Sequence, residues 1–160
     1  MIRGIHHVAL NTPNFDRMLA FYREVIGFEV VESSRMEWSN SREIDTIVGI
    51  EGSVAKTVML RAANAYIELF EYQQPKARWP DRLNPSDHGY THICLDVDDI
   101  QSEYERLSKN GMTFHAPPTS ADEGAHTVYG RDPDGNIIEL QQLTPAYDMA
   151  VEYLEGFKFG

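Results

Sequence analysis

The 160-residue sequence predicts an α+β protein built from two tandem βαβββ modules. Three observations carry that prediction. His7-Val-Ala-Leu lies 85 positions before His92-Ile-Cys-Leu (92 − 7). Each histidine is followed by an amphipathic segment closed by a glycine, Gly27 after 20 residues and Gly111 after 19. Ile67-Glu68-Leu69 recurs 71 positions later as Ile138-Glu139-Leu140. Self-similarity of this kind marks a repeated structural unit.

The elements follow in order. Ile5 to Leu10 reads as a strand, with Val8 and Leu10 on one face and Ile5, His7 and Ala9 on the other; His6 then faces away from His7. Asn11-Thr12-Pro13-Asn14 breaks the strand, and Thr12 or Asn14 can cap a helix. Phe15, Met18, Leu19, Tyr22, Val25 and Ile26 form its apolar stripe, and Gly27 stops it. Phe28 to Val31 is a second strand. Residues 32–53 are polar and rich in Ser and Glu, and read as an irregular insertion, a lid or a mobile loop. Met36 and Trp38 inside it would cover a substrate or anchor the loop. Val54 to Arg61 and Ala65 to Tyr72 are two more strands, the second placing Tyr66, Glu68 and Phe70 on one face.

This makes residues 1–72 the first module. Residues 73–88, with Pro75, Pro80 and Pro85, read as a linker. Residues 89–143 repeat the pattern: a strand with His92 and Cys94 on one face, a helix capped at Asp98-Asp99 with Ile100, Tyr104 and Leu107 as its stripe, a strand over 112–115, and another over 126–130. Asp132-Pro-Asp-Gly135 is a turn, since Pro presets φ, Gly accepts positive φ, and Asp side chains bond nearby amides. Ile137 to Leu143 is the closing strand. Residues 144–160 form a tail that packs on the body or on a partner subunit.

Bulk properties narrow the function. A net charge of −11 argues against nucleic acid or an anionic membrane as partner. A single cysteine, Cys94, rules out an intrachain disulfide. With no signal-peptide pattern and no apolar run near ~20 residues, the expected location is the cytoplasm.

Each half carries one histidine on its first strand and one glutamate on its last. His7, Glu68, His92 and Glu139 all lie on the face opposite their most apolar neighbours. Two His and two Glu in equivalent places suit a divalent metal with nitrogen and oxygen ligands. The alternative is four ordinary half-exposed strand residues, and the pattern alone leaves both open.

His7-Val-Ala-Leu, Phe21-Tyr22…Gly27-Phe28, Tyr66-Ile-Glu-Leu, His92-Ile-Cys-Leu-Asp-Val and Asp132-Pro-Asp-Gly…Ile138-Glu-Leu resemble the vicinal oxygen chelate superfamily. It includes glyoxalase I, methylmalonyl-CoA epimerase, extradiol dioxygenases and the bleomycin- and fosfomycin-resistance proteins. The resemblance covers about residues 4–142. It implies paired modules closing as a cupped mixed sheet around a metal site, often in a homodimer. It also implies His7, Glu68, His92 and Glu139 as ligands of one divalent ion (Ni, Co, Zn, Mn or Fe). The implied chemistry acts on a small substrate with vicinal oxygens, by Lewis-acid stabilisation of an enolate. The full His/Glu/His/Glu set resembles glyoxalase I, so Glu68 or Glu139 would double as the proton carrier of an isomerase, epimerase or lyase.

Other readings rest on particular residues. Val128-Tyr129…Glu139 matches the later half of the extradiol dioxygenase signature, with Tyr129 as a hydrogen-bond donor or acid; the alternative for Tyr129 is a structural strand residue. A ligand-sequestering resistance protein is the third reading. Asn11 and Tyr72 stand where glyoxalase I has its glutathione-binding Arg and Asn, which argues against glutathione. Lys56 to Leu60 lacks the acidic residue of the epimerase. Arg78 and Arg82 flanking Trp79 would give a CoA substrate a local basic patch; the alternative, which the pattern favours, is a solvated linker. His115 and His126 are candidates for the cup wall.

Overall fold

The computed structural model describes residues 1–78 and 84–154. The chain divides into two compact units, Met1–Trp79 and Pro80–Gly160. In the first, strands β1 (His7–Asn11), β2 (Glu29–Ser39), β3 (Val54–Arg61) and β4 (Tyr66–Gln74) form a sheet in the order β1-β4-β3-β2. β1 runs parallel to β4, and the other pairs are antiparallel. Helix α1 (Phe15–Ala20) continues as a π-helical stretch (Phe21–Ile26), and α2 (Arg42–Val48) lies between β2 and β3.

The second unit repeats the plan. β5 (His92–Asp96), β6 (Thr113–Phe114), β8 (Ala125–Arg131) and β9 (Ile137–Leu143) are ordered β5-β9-β8-β6, and β7 (Thr119–Asp122) also pairs with β8. Helix α3 (Ile100–Lys109) is the counterpart of α1. Val151–Tyr153 is a 3₁₀ turn.

One face of each sheet is the core. Met18 and Tyr22 of the first helix and Val58, Leu60 and Leu69 of the sheet are fully buried, and α1 packs on β4. In the second unit Ile100, Leu107, Val128, Ile138 and Leu140 fill the same role beneath α3. Each such large side chain contributes about 1.5–3 kcal/mol by leaving water.

The repeat holds at the level of single bonds. Asn14 caps α1 by accepting from Arg17 N, and Asp99 caps α3 by accepting from Ser102 N. The Phe15 amide donates to Glu71 and the Ile100 amide to Gln142, each at the helix entrance. Thr12 N donates to the Phe70 carbonyl as Val97 N does to Gln141. Gly27 and Gly111 end their segments with φ of 97° and 101°, a conformation favouring glycine.

Residues 32–53 are regular structure, which corrects the expectation of an irregular loop. β2 runs on through Ser39 after a register shift between Val31 and Met36. α2 is capped by Ser41 and tied down by Asp45, whose carboxylate accepts from the Gly52 and Ser53 amides and the Ser53 hydroxyl. Trp38 is buried and donates to Ser53 Oγ at 2.8 Å, so it anchors the insertion, while Met36 stays exposed. The polar stretch after Pro118 likewise holds a strand, β7. β6 and β7 together match β2: in both units the outermost strand breaks register partway along, between Val31 and Met36 and between Phe114 and Thr119, and β7 shifts again between Ser120 and Asp122.

The Asp-Pro-Asp-Gly turn forms as its residues dictate. Asp132 is buried; one carboxylate oxygen accepts from the Asp134 and Asn136 amides, the other from the Asn136 side chain. Gly135 takes φ 90°. No described helix is long and apolar enough to cross a membrane.

Candidate functional site

Strand register brings each histidine to its own unit's glutamate. His7 pairs with Tyr66 and Ala9 with Glu68; His92 pairs with Ile137 and Cys94 with Glu139. The glutamate therefore stands one side-chain repeat along from its histidine on the same sheet face. His7 Nε2 lies 3.2 Å from Glu68 Oε2, and His92 Nε2 lies 3.0 Å from Glu139 Oε2. Both carboxylates are largely shielded, with side chains 16% and 15% exposed.

The far atoms of each pair are also held at equivalent positions. Thr57 Oγ1 donates to Glu68 Oε1 at 3.3 Å, and Thr127 Oγ1 to Glu139 Oε1 at 2.6 Å. His7 Nδ1 lies 2.9 Å from His6 Nδ1, and His92 Nδ1 lies 2.8 Å from Thr91 Oγ1. His6 does not face away from His7, as strand alternation predicts, because β1 begins only at His7. Its ring turns to His7 and stacks on Tyr66, centroids 5.0 Å apart.

Around the pairs the walls differ. In the first unit Trp38, Phe70 and Tyr72 form an aromatic cluster, centroids 5.8–6.2 Å apart, on the face that carries Glu68. In the second, Tyr129 lies directly across from Glu139 and its ring is 4.9 Å from that of His92. Burial, then the charge of Glu139, pushes the Tyr129 phenol up. Cys94 stands beside Glu139 on the paired strand, and desolvation, then the Glu139 charge, pushes its thiol up to about 12, so it is held as a neutral thiol rather than a nucleophile. A cavity of about 510 Å³ opens here, lined by Thr113, His115, Tyr129, Arg131 and Ile137.

His115 is part of that wall and donates from Nδ1 to the Tyr129 carbonyl, 2.9 Å. Its counterpart is Ser34, which accepts from the Met59 amide at 2.8 Å. Met59 faces Glu68 as Tyr129 faces Glu139. His126 belongs to the other face of β8. Asn11 and Tyr72 touch: the Asn11 side chain accepts from the Tyr72 amide. The basic-patch expectation at Trp79 and Arg82 lies outside the described residues. Thr57, Thr127, His6 and Thr91 are contacts that sequence reading missed. The lengths of the β3–β4 and β8–β9 turns set the register that places each threonine diagonally across from its glutamate, so these two were the recoverable ones.

Among the described residues no group of three or more His, Cys, Asp or Glu stands at metal-binding spacing, so each pair is described by itself.

A family model described as Glyoxalase/Bleomycin resistance protein/Dioxygenase superfamily matches residues 4–140. A 2-epi-5-epi-valiolone epimerase from Actinomyces sp is 32% identical over 150 residues, covering 88% of this chain and 79% of that protein. The mitochondrial methylmalonyl-CoA epimerase of Dictyostelium discoideum is 29% identical over 146 residues, with 88% and 79% covered. Among solved structures, a glyoxalase family protein from Bacillus cereus shares the fold with a TM-score of 0.79 at 19% identity, covering 89% of this chain and 95% of that one.

Proposed function

The chain belongs to the Glyoxalase/Bleomycin resistance protein/Dioxygenase superfamily, and from that premise we propose a divalent-metal-dependent epimerase or related isomerase or lyase. Its substrate is a small molecule with vicinal oxygens. The observation that carries the reading is the pair of repeat-equivalent His/Glu couples. Each carboxylate is shielded from water, and among the described residues neither has a Lys or Arg partner. Shielded carboxylates without a cation are costly. An imidazole nitrogen beside a carboxylate oxygen, each with its other atom already held, is a donor set that fits a divalent ion. His7, Glu68, His92 and Glu139 would be its ligands.

When bound, the ion supplies Lewis-acid stabilisation of negative charge developing on the substrate's vicinal oxygens. The chain's own residues do the rest. Glu68 or Glu139 takes the proton from the carbon next to the carbonyl and a carboxylate returns it, so the reaction is redox-neutral and inverts a centre or shifts a double bond. Tyr129, beside His92 and across from Glu139, offers a hydroxyl proton to a substrate oxygen. The cavity beside it receives the remainder of the substrate. The two epimerases among the relatives favour proton transfer over oxygen insertion. The same reading has the protein acting as a homodimer in the cytoplasm.

The test is metal content by elemental analysis together with deuterium incorporation from D₂O into 2-epi-5-epi-valiolone and methylmalonyl-CoA. About one ion per chain, with exchange lost in Glu68→Gln and Glu139→Gln, is expected. Full metal and full exchange in both variants would sink the assignment.

A further inference from the structure

The two carboxylates are not held alike. Glu139 accepts from the Thr127 hydroxyl at 2.6 Å and has polar neighbours on both paired strands, Cys94 on one side and Tyr129 directly across on the other. Glu68 receives one long bond, 3.3 Å, from Thr57; the places of Cys94 and Tyr129 are taken by Ala9 and Met59, which donate nothing from their side chains. Thr127 Oγ1 also lies 3.1 Å from the Leu140 carbonyl, but its single proton goes to the nearer, charged acceptor. Strand register is the same in both units, so the difference comes from side chains alone.

We infer that Thr127 is a positioning residue that locks Glu139 as the fixed carboxylate of the metal set, whereas Glu68 is left free to turn. The inference rests on the metal reading above. A carboxylate held in its ligating orientation loses little freedom on binding an ion, and one held loosely loses more. Outer partners of this kind typically change metal affinity ~10–100-fold when removed. Thr127 therefore sets affinity, and Thr57, at the equivalent place, does not.

The experiment is Zn²⁺ affinity by competition with a chromogenic chelator for wild type, Thr127→Val, Thr127→Ser and Thr57→Val, with metal-free melting temperatures alongside. Thr→Val keeps the shape and removes the hydroxyl; Ser restores it. Expected is a loss of ~10-fold or more in Thr127→Val. Thr127→Ser should recover to within about 3-fold, and Thr57→Val should change less than about 3-fold, with unchanged metal-free melting. Equal losses in the two valine variants, or none in Thr127→Val, would overturn the inference while leaving the metal reading intact. A wild type that takes up no Zn²⁺ would overturn both. If Thr127→Val fails to fold, Thr127→Ser against Thr127→Ala decides: equal affinity in these two also refutes it.

Discussion

Removing the Ser53 hydroxyl tests how the insertion between β2 and β3 is held. Ser53 is fully buried, accepts from Trp38 Nε1 at 2.8 Å and donates to Asp45 Oδ1 at 2.5 Å. Ser53→Ala strands the indole N–H of Trp38, which is 7% exposed. A buried donor without a partner costs ~1–3 kcal/mol. For a chain of this length each kcal/mol moves the melting temperature by ~2–4 °C, so a drop of about 2–12 °C is expected. Trp38→Phe in the same chain removes the stranded donor, and the double variant should melt above Ser53→Ala. Acid adds a second signature. The Ser53 hydroxyl, then the Gly52 and Ser53 amides, hold Asp45 below its ordinary 3.8. A depressed carboxylate stabilises the fold above its unfolded value, and that contribution disappears as pH falls through the folded value. Ser53→Ala removes the largest cause, so its deficit should narrow below about pH 4. Circular dichroism melts from pH 3 to 8 read both effects. A variant melting within about 1 °C of wild type at neutral pH would refute the argument.

Other outcomes follow from the same geometry. Asp132→Ala strips three donors of their acceptor in the buried turn before β9 and should cost about 3 kcal/mol or more in urea unfolding. Gly130→Ala would put a Cβ 2.5 Å from Met112 Cε and 2.8 Å from the Phe114 ring, and should cost ~1–3 kcal/mol by the same measurement. A thiol pushed from 9.0 to about 12 carries ~10³-fold less thiolate at pH 8, so metal-free Cys94 should react that much more slowly with a disulfide reagent than a free thiol does. Its rate should climb with pH past 9, and Glu139→Gln, which removes the negative charge beside it, should speed it. Reaction at the rate of a free thiol would contradict the influence of Glu139 and its surroundings on Cys94.

The paired histidines and glutamates were legible because strand alternation is a strict period and the same spacing occurs twice. The first half is 14 residues longer between its histidine and its glutamate (85 − 71), and the signal survives because that discrepancy sits mostly in one place. Fourteen residues, 40–53, separate the paired Ser39 and Val54, against two, 123–124, between Asp122 and Ala125. What was not legible has one cause. α2 has seven residues and a polar sequence, and its stability comes from Asp45, Ser53 and Trp38 meeting across 15 positions, which local pattern does not report. His6 was misread because alternation was carried one residue too far, past the start of β1. Thr57 and Thr127 look like ordinary strand threonines until the register of the neighbouring strand is known.

The break in the outermost strand of each sheet has a further consequence. In one unit it is filled by Ser34, in the other by His115, and both bond the backbone of the residue that faces the glutamate. The strand beyond the break pairs again without disturbing the one inside it. Residues added, lost or exchanged there change the side chain offered beside the glutamate while the histidine and glutamate strands keep their pairing. Under the proposed function, substrate preference would drift by mutation at 32–35 and 115–118 while the His/Glu pairs stay in place.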